Sequence, residues 1–154
     1  MKKILFTLAL MLAAATSLSA QSVDDIFKEF RDMPNVQFVN LPKAMIGIFA
    51  NKASSETVKD RLQNIELVRV LQIENDQNLR DTFAKKVKKI AKKGYEQMVN
   101  SNEEDQKDQI LVKTDGDVLK EVLIISIEQD ECALVQICGQ LRPEDLKDMG
   151  DFIK

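Results

Sequence analysis

The spacing of apolar residues predicts helices alternating with strands in the first half of the chain. After Ser22, which can cap a helix, apolar residues recur at helical intervals up to Pro34. Residues 36–41 alternate imperfectly between apolar and polar side chains, as in a short strand. The predicted elements are a helix with Val23, Ile26, Phe27 and Phe30 on one face, a strand over 36–41, a helix from Pro42 carrying Ala44, Met45, Ile48 and Phe49, helical turns from Ser54 or Ser55 to Leu62, and a strand over 65–73.

The second half of the chain has one long helical pattern followed by strands. Asn75 and Asp76 offer caps for this helix, whose apolar arc also contains Gly94. The Asp115-Gly116 pair is a strong signal for a tight turn between two strands. The predicted elements are a helix over 77–99 with Leu79, Phe83, Val87, Ile90 and Met98 on one arc, a polar loop over 102–108, strands over 110–112, 118–127 and 133–138, and a short closing helix over 144–149 ended by Gly150.

This order of elements predicts an α+β fold in which the sheet is mainly antiparallel. The last three strands follow one another through short turns and therefore form a C-terminal three-stranded meander. We expect the helices to pack mostly on one face of the sheet. No repeat, low-complexity tract or linker divides the sequence, so residues 21–154 are predicted to form a single domain.

Residues 1–20 have the pattern of a secretory signal peptide. Lys2 and Lys3 precede an apolar run over 4–15, and small and polar residues follow as far as Ala20, after which we expect cleavage. The alternative is a membrane anchor, but this apolar run spans only about 18 Å of helix, against about 30 Å of hydrocarbon in a bilayer. No cysteine lies at the cut for a lipid anchor. We therefore expect an exported protein, periplasmic or secreted, without a transmembrane segment after cleavage.

The composition excludes several kinds of chemistry. The chain contains no His, which rules out Ser-His-Asp and Cys-His nucleophile pairs and His-ligated zinc. No glycine-rich nucleotide motif, P-loop or Cys-x-x-Cys pair occurs in the sequence. The net charge of −3 does not favour nucleic-acid binding. We therefore expect no enzyme, with no catalytic residues, cofactor or metal, and no nucleic acid as partner.

Cys132 and Cys138 are the two cysteines of a chain that is expected to be exported, where disulfides are common. Both fall in one predicted strand, and their spacing along it separates the two Cα atoms by about 20 Å. A disulfide needs less than about 7 Å between the Cα atoms. We therefore expect two buried free thiols. A catalytic thiol is not expected, because no His is present to form the thiolate.

A lysine-rich stretch over 85–93 is the most conspicuous charge feature. Its lysines lie opposite the apolar arc of the predicted helix. Two interpretations stay open. The stretch is either the solvated face of an ordinary amphipathic helix, or a face that binds anionic lipid headgroups, glycans or other anions through Lys85, Lys88, Lys89 and Lys92. The acidic residues show no calcium-loop spacing, and those at predicted helix starts stabilise the helix dipole.

Apolar residues on both faces of two predicted strands suggest a contact surface. On the strands over 65–73 and 118–127, a few apolar residues point away from the main apolar series, namely Val68, Val70, Val122 and Ile124. If helices cover only the other face, these residues form an exposed patch that can bind a partner protein or a second copy. Alternatively, the first or the last helix covers them.

Three short motifs resemble a known protein family. They are residues 38–45 (FVNLPKAM), 94–98 (GYEQM) and 137–141 (ICGQL). The chain resembles the domain-of-unknown-function family 4252, small exported proteins of Bacteroidetes-type bacteria, over nearly all of its length after the signal peptide. The resemblance implies a periplasmic or surface-exposed protein and brings no activity and no site residues. We therefore expect a non-enzymatic exported domain that acts through protein–protein contacts or self-association, with anion binding as the alternative.

Overall fold

The computed structural model describes residues 22–145. The predicted signal peptide lies outside this part of the chain, as does most of the predicted closing helix over 144–149. The helices are α1 (Val23–Phe30), α2 (Lys43–Lys52), α3 (Glu56–Gln63) and α4 (Gln77–Ile90). The strands are β1 (Val36–Pro42), β2 (Ile65–Glu74), β3 (Glu96–Asn102), β4 (Lys107–Asp115), β5 (Val118–Ile127) and β6 (Glu131–Leu141).

The strands form one antiparallel sheet in the order β1-β2-β6-β5-β4-β3. β4, β5 and β6 are the predicted meander, and Gly116 takes a φ of +62° in the tight turn between the first two of them. β2 pairs with β6, which joins the first half of the chain to the meander. The predicted α+β class with a mainly antiparallel sheet is confirmed.

α1 and α4 cover one face of the sheet, which we call the first face. α1 begins with the predicted cap: the Ser22 hydroxyl accepts a hydrogen bond from the Asp25 backbone N–H, and the Asp25 carboxylate accepts one from the Ser22 N–H. The apolar residues of both helices then pack against β2, β5 and β6. Phe30 of α1 and Phe83 of α4 meet edge to face, with ring centroids 6.0 Å apart. These contacts form the larger of two hydrophobic cores.

α2 and α3 pack on the opposite, second face, where they contact β2 and, in the case of α2, β1. Ile46 of α2 and Leu62 of α3 belong to the smaller core on that side. The helices are thus divided between the two faces, whereas the sequence predicted them mostly on one. The physical reason is that strands with apolar residues on both faces need helices packed on each face. α1, which we considered as a cover for the second face, lies on the first.

α4 ends at Ile90, well before the predicted helix end at residue 99. Gly94 takes a φ of +77° in the turn after α4, a left-handed conformation that glycine adopts readily, and the edge strand β3 begins two residues later. The prediction of a helix over 91–99 is therefore wrong, and neither Gly94 nor Met98 lies on its apolar arc. β3 pairs with β4 along its length, and these hydrogen bonds outweigh the helical pattern of the sequence.

Candidate functional site

Side chains on the second face of the sheet form rows that run across the strands. In each row, a residue of one strand lies beside its register partner on the next strand. The row farthest from α2 and α3 is mostly polar and consists of Gln37, Gln72, Ala133, Ser126, Asp108 and Ser101. The row at the opposite end belongs to the smaller core and contains Leu41, Val68, Ile137, Val122 and Val112. The second face therefore changes from a polar end to an end covered by helices.

Between these two rows lies a third that is apolar in all six strands. Its members, which we call the apolar row, are Val39, Val70, Val135, Ile124, Ile110 and Val99. Val39 and Val99 at its two ends are 47% and 45% exposed, and the residues between them are partly buried. Where one face of an antiparallel sheet is open to water, such positions ordinarily carry polar side chains. Three residues in the middle of the row, Val135, Ile124 and Ile110, also pack against the smaller core. That packing accounts for the buried part of each side chain, and the part of the row that faces solvent is apolar where a polar side chain is usual.

α2 adds exposed apolar side chains on the same side of the sheet. The predicted apolar positions of this helix were Ala44, Met45, Ile48 and Phe49. The helix instead buries Ile46 and Ala50, and it leaves the large side chains of the predicted set in contact with solvent. Among residues 22–145, six of the seven large apolar side chains that are exposed belong to the apolar row, α2 or α3. Exposed apolar surface is thus concentrated on one side of the molecule.

The four residues predicted as an interface divide between two rows. Val70 and Ile124 belong to the apolar row and are partly exposed. Val68 and Val122 belong to the adjacent row in the smaller core, where Val122 is completely buried. Sequence reasoning did not identify the other four members of the apolar row, because row membership depends on the register between strands.

The four lysines predicted as an anion site lie in two environments. Lys85 and Lys88 line a cleft between α4 and the β3–β4 hairpin. Lys89 and Lys92 are exposed and lie outside that cleft, and Lys92 follows the end of the helix. Their neighbour Lys86 forms an ion pair with Glu29 of α1. The lysine stretch is therefore not one uniform face.

A chain of polar side chains crosses the first face of the sheet. Arg69 Nε donates to Gln136 Oε1 over 2.8 Å, and Gln136 Nε2 donates to Glu121 Oε1 over 3.0 Å. The Tyr95 hydroxyl donates to the same Glu121 oxygen over 2.8 Å. Burial and this hydrogen bond raise the pKa of Tyr95 well above its usual range, so the hydroxyl remains a donor.

The far end of this chain is also satisfied. Arg69 pairs with Asp24 of α1, and its guanidinium lies 4.4 Å from the centroid of the Phe27 ring. A partly buried polar chain in which each member has a partner holds the side chains around it in place. We therefore regard these residues as structural.

Cys132 and Cys138 both lie in β6, and both are free, as predicted. Cys132 is buried as expected, whereas Cys138 is only partly buried, so the prediction of a buried thiol is wrong for Cys138. Burial raises the pKa of each thiol to about 11. A thiol with a raised pKa stays protonated near neutral pH and is a poor nucleophile.

The acidic residues considered as candidate ligands are scattered over the molecule. Asp24 pairs with Arg69, and the hydrogen bond from the Ser22 backbone lowers the pKa of Asp25. Asp145 is buried and accepts a hydrogen bond from the Arg142 N–H over 3.0 Å. Within residues 22–145, no three acidic or cysteine side chains are grouped so that they could hold a metal ion. No helix in this part of the chain has the length and hydropathy needed to cross a membrane.

Fold and surface together define a class of protein: an antiparallel α+β domain with helices on both faces of its sheet and an apolar row left in contact with solvent. The chain belongs to the family described as Domain of unknown function (DUF4252), whose model matches residues 29–149. This match confirms the family to which the sequence motifs pointed. Comparison with curated proteins and with solved structures found no match.

Proposed function

We propose that this protein is an exported, non-enzymatic domain that acts by binding another polypeptide, and that the apolar row is its binding surface. The observation that carries the proposal is the register of the row, which places one apolar side chain from each strand in a continuous line. A contiguous apolar surface that is partly open to solvent, as this row is, marks interaction sites in soluble proteins.

The shape of the surface favours a macromolecular partner. Six neighbouring strands span about 24 Å, since adjacent strands lie about 4.8 Å apart. This surface is long and follows the sheet, whereas sites for small molecules are concave. The polar row lies along one side of the apolar row, and an apolar centre with a polar rim is the usual composition of a protein–protein interface.

Two sequence features support the remaining parts of the proposal. The signal-peptide pattern of residues 1–20 supports export. The lack of His, together with cysteine thiols whose pKa is raised to about 11, supports a role without catalysis.

Two neighbouring positions of the edge strand β1 test the proposal. Val39 belongs to the apolar row, whereas Asn40, which is also exposed, lies on the other face of the strand. Val39→Lys and Asn40→Lys change the charge equally. Both variants should fold, because lysine is well tolerated on edge strands. The mass of the native complex, measured in gentle extracts of the native host, reports association.

We expect the wild-type protein and Asn40→Lys to migrate in a complex larger than the monomer, and Val39→Lys to migrate as a monomer. Val99→Lys, at the other end of the row, should behave like Val39→Lys. A complex that survives both row substitutions, or a wild-type protein that is monomeric in its host, would overturn the proposal.

A further inference from the structure

A cleft of about 490 Å³ lies on the first face, between α4 and the β3–β4 hairpin. Its apolar lining comes from Ala84 and Val87 of α4 and from Ile125 and Ile127 of β5. The volume falls within the range of small-molecule sites. The cleft opens on the side of the sheet opposite the apolar row, so a ligand site in it is independent of the proposed function.

The strand side of the cleft carries side-chain amides. Asn100 of β3 and Gln109 of β4 are register partners, so their side chains lie side by side, and Asn102 follows on the same strand. Under α1 and α4 the same face of the sheet is largely apolar. Within residues 22–145 these three amides make no side-chain hydrogen bond, so their N–H groups are available to a ligand.

The helix side of the cleft carries positive charge. Lys85 and Lys88 line it from successive positions of one face of α4, and neither forms an ion pair with another described residue. Arg80, which also lines the cleft, is engaged by the Glu128 carbonyl oxygen and by Asp81.

Acidic residues also line the cleft, but they are grouped toward one end. Lys107 of the hairpin pairs with Ile127, and Arg80 binds the adjacent Glu128, so the hairpin tip with Glu104 and Asp105 lies near the N-terminal end of α4. Lys85 and Lys88 follow one and two turns farther along the helix. Lys85 and Lys88 therefore lie away from the carboxylates of the tip, whereas Lys107, which also lines the cleft, is close to them in the hairpin.

We propose that this cleft binds a small anionic ligand, whose carboxylate or phosphate group lies between the ammonium groups of Lys85 and Lys88 and the amide N–H groups of Asn100 and Gln109. Ammonium groups form charge-assisted hydrogen bonds to either anion, and amide N–H groups donate to the remaining oxygen atoms. The apolar lining contacts the carbon skeleton of the ligand.

Side-chain amide signals in ¹⁵N NMR spectra test this proposal directly. The protein beginning at Gln21 is titrated with inorganic phosphate, with glucuronate and with glucose, which matches glucuronate but has no charge. We expect phosphate, glucuronate or both to shift the Asn100 and Gln109 amide signals, and glucose to leave them unchanged. A response to only one anion identifies the ligand's group as phosphate or carboxylate.

Two double variants distinguish binding in the cleft from nonspecific attraction of an anion to the lysine stretch. Lys85→Gln with Lys88→Gln removes both cations from the cleft, and Lys89→Gln with Lys92→Gln removes the same charge from outside it. We expect the first pair to raise the dissociation constant of the anion about tenfold, since it removes two charge-assisted hydrogen bonds, and the second to change it little. Equal effects of the two pairs, or no response to either anion in the wild-type protein, would overturn the proposal.

Discussion

Replacing Gly139 of β6 by alanine tests a close backbone contact on which the fold depends. The chain enters β2 directly over this glycine. An alanine Cβ at position 139 would lie 2.1 Å from the carbonyl oxygen of Asn64 and 3.0 Å from the Cα of Ile65. The same carbonyl oxygen accepts a hydrogen bond from the Gln140 N–H over 2.9 Å, so it cannot move away without losing that bond.

The expected loss of unfolding free energy follows from the atoms that the alanine Cβ would meet. Extra methyl groups in packed regions typically cost about 1–3 kcal/mol, and the upper value applies here because both neighbours are backbone rather than flexible side chains. A loss of about 3 kcal/mol is a large part of the unfolding free energy of a domain, which is about 5–15 kcal/mol. Gly47 of α2 is the matched control, since its Cβ would meet nothing within 4 Å. Gly47→Ala should stabilise the protein by about 0.5–1 kcal/mol, because glycine is unfavourable inside a helix.

Urea denaturation of the protein beginning at Gln21, followed by circular dichroism, measures both effects. The midpoint should fall for Gly139→Ala and rise for Gly47→Ala, with slopes like that of the wild-type protein. Surface substitutions without structural consequence usually change the unfolding free energy by less than about 0.5 kcal/mol. If Gly139→Ala changes it by no more than that, the close contact between residue 64 and β6 is wrong.

The remaining predictions concern the polar chain, the thiols and export. Tyr95→Phe should lower the unfolding free energy by about 1 kcal/mol in the same urea assay, because Glu121 loses one donor and keeps Gln136; an unchanged midpoint would contradict this. Cys132 and Cys138 titrate near 9.0 when unfolded and near 11 when folded, so the unfolding free energy should fall as pH rises through that interval. Both thiols should react with an alkylating reagent after denaturation without a reductant, and an unreactive monomer two daltons lighter would disprove the free thiols. Mass spectrometry of protein from the native host should find an N-terminus at or near Gln21, and an intact Met1 would exclude cleavage.

Elements with strong local signals could be predicted from the sequence. α1 combines a capping box with four apolar residues at helical spacing, and the structure contains both. The β4–β5 turn was predictable because Asp115-Gly116 suits a tight turn, in which Gly116 takes a positive φ. These features depend on neighbours within one turn of helix or one hairpin.

β3 could not be predicted in this way. Its sequence, Glu96–Asn102, is mostly polar and exposed, as an edge strand tolerates, and it continues the helical spacing of the residues before it. The one local signal against a longer helix was Gly94, which takes a positive φ in the turn between α4 and β3.

The candidate surfaces likewise could be predicted only in part from the sequence. Apolar residues on both faces of β2 and β5 were visible in the sequence, so Val70 and Ile124 were found. Their row partners Val135 and Ile110 were not, because only the register between strands identifies them. The cleft was missed for a related reason, since it needs β3 to place Asn100 opposite Lys85 and Lys88.

The central claim is that the apolar row contacts another polypeptide, and position-specific photocrosslinking in the native host tests it most directly. A benzophenone side chain is placed at Val39, and in a matched variant at Asn40, the adjacent exposed residue on the other face of β1. On illumination we expect a covalent adduct of defined mass from position 39, either with a second copy or with another protein, and none from position 40. Adducts of equal yield from both positions, or none from position 39, would contradict the claim.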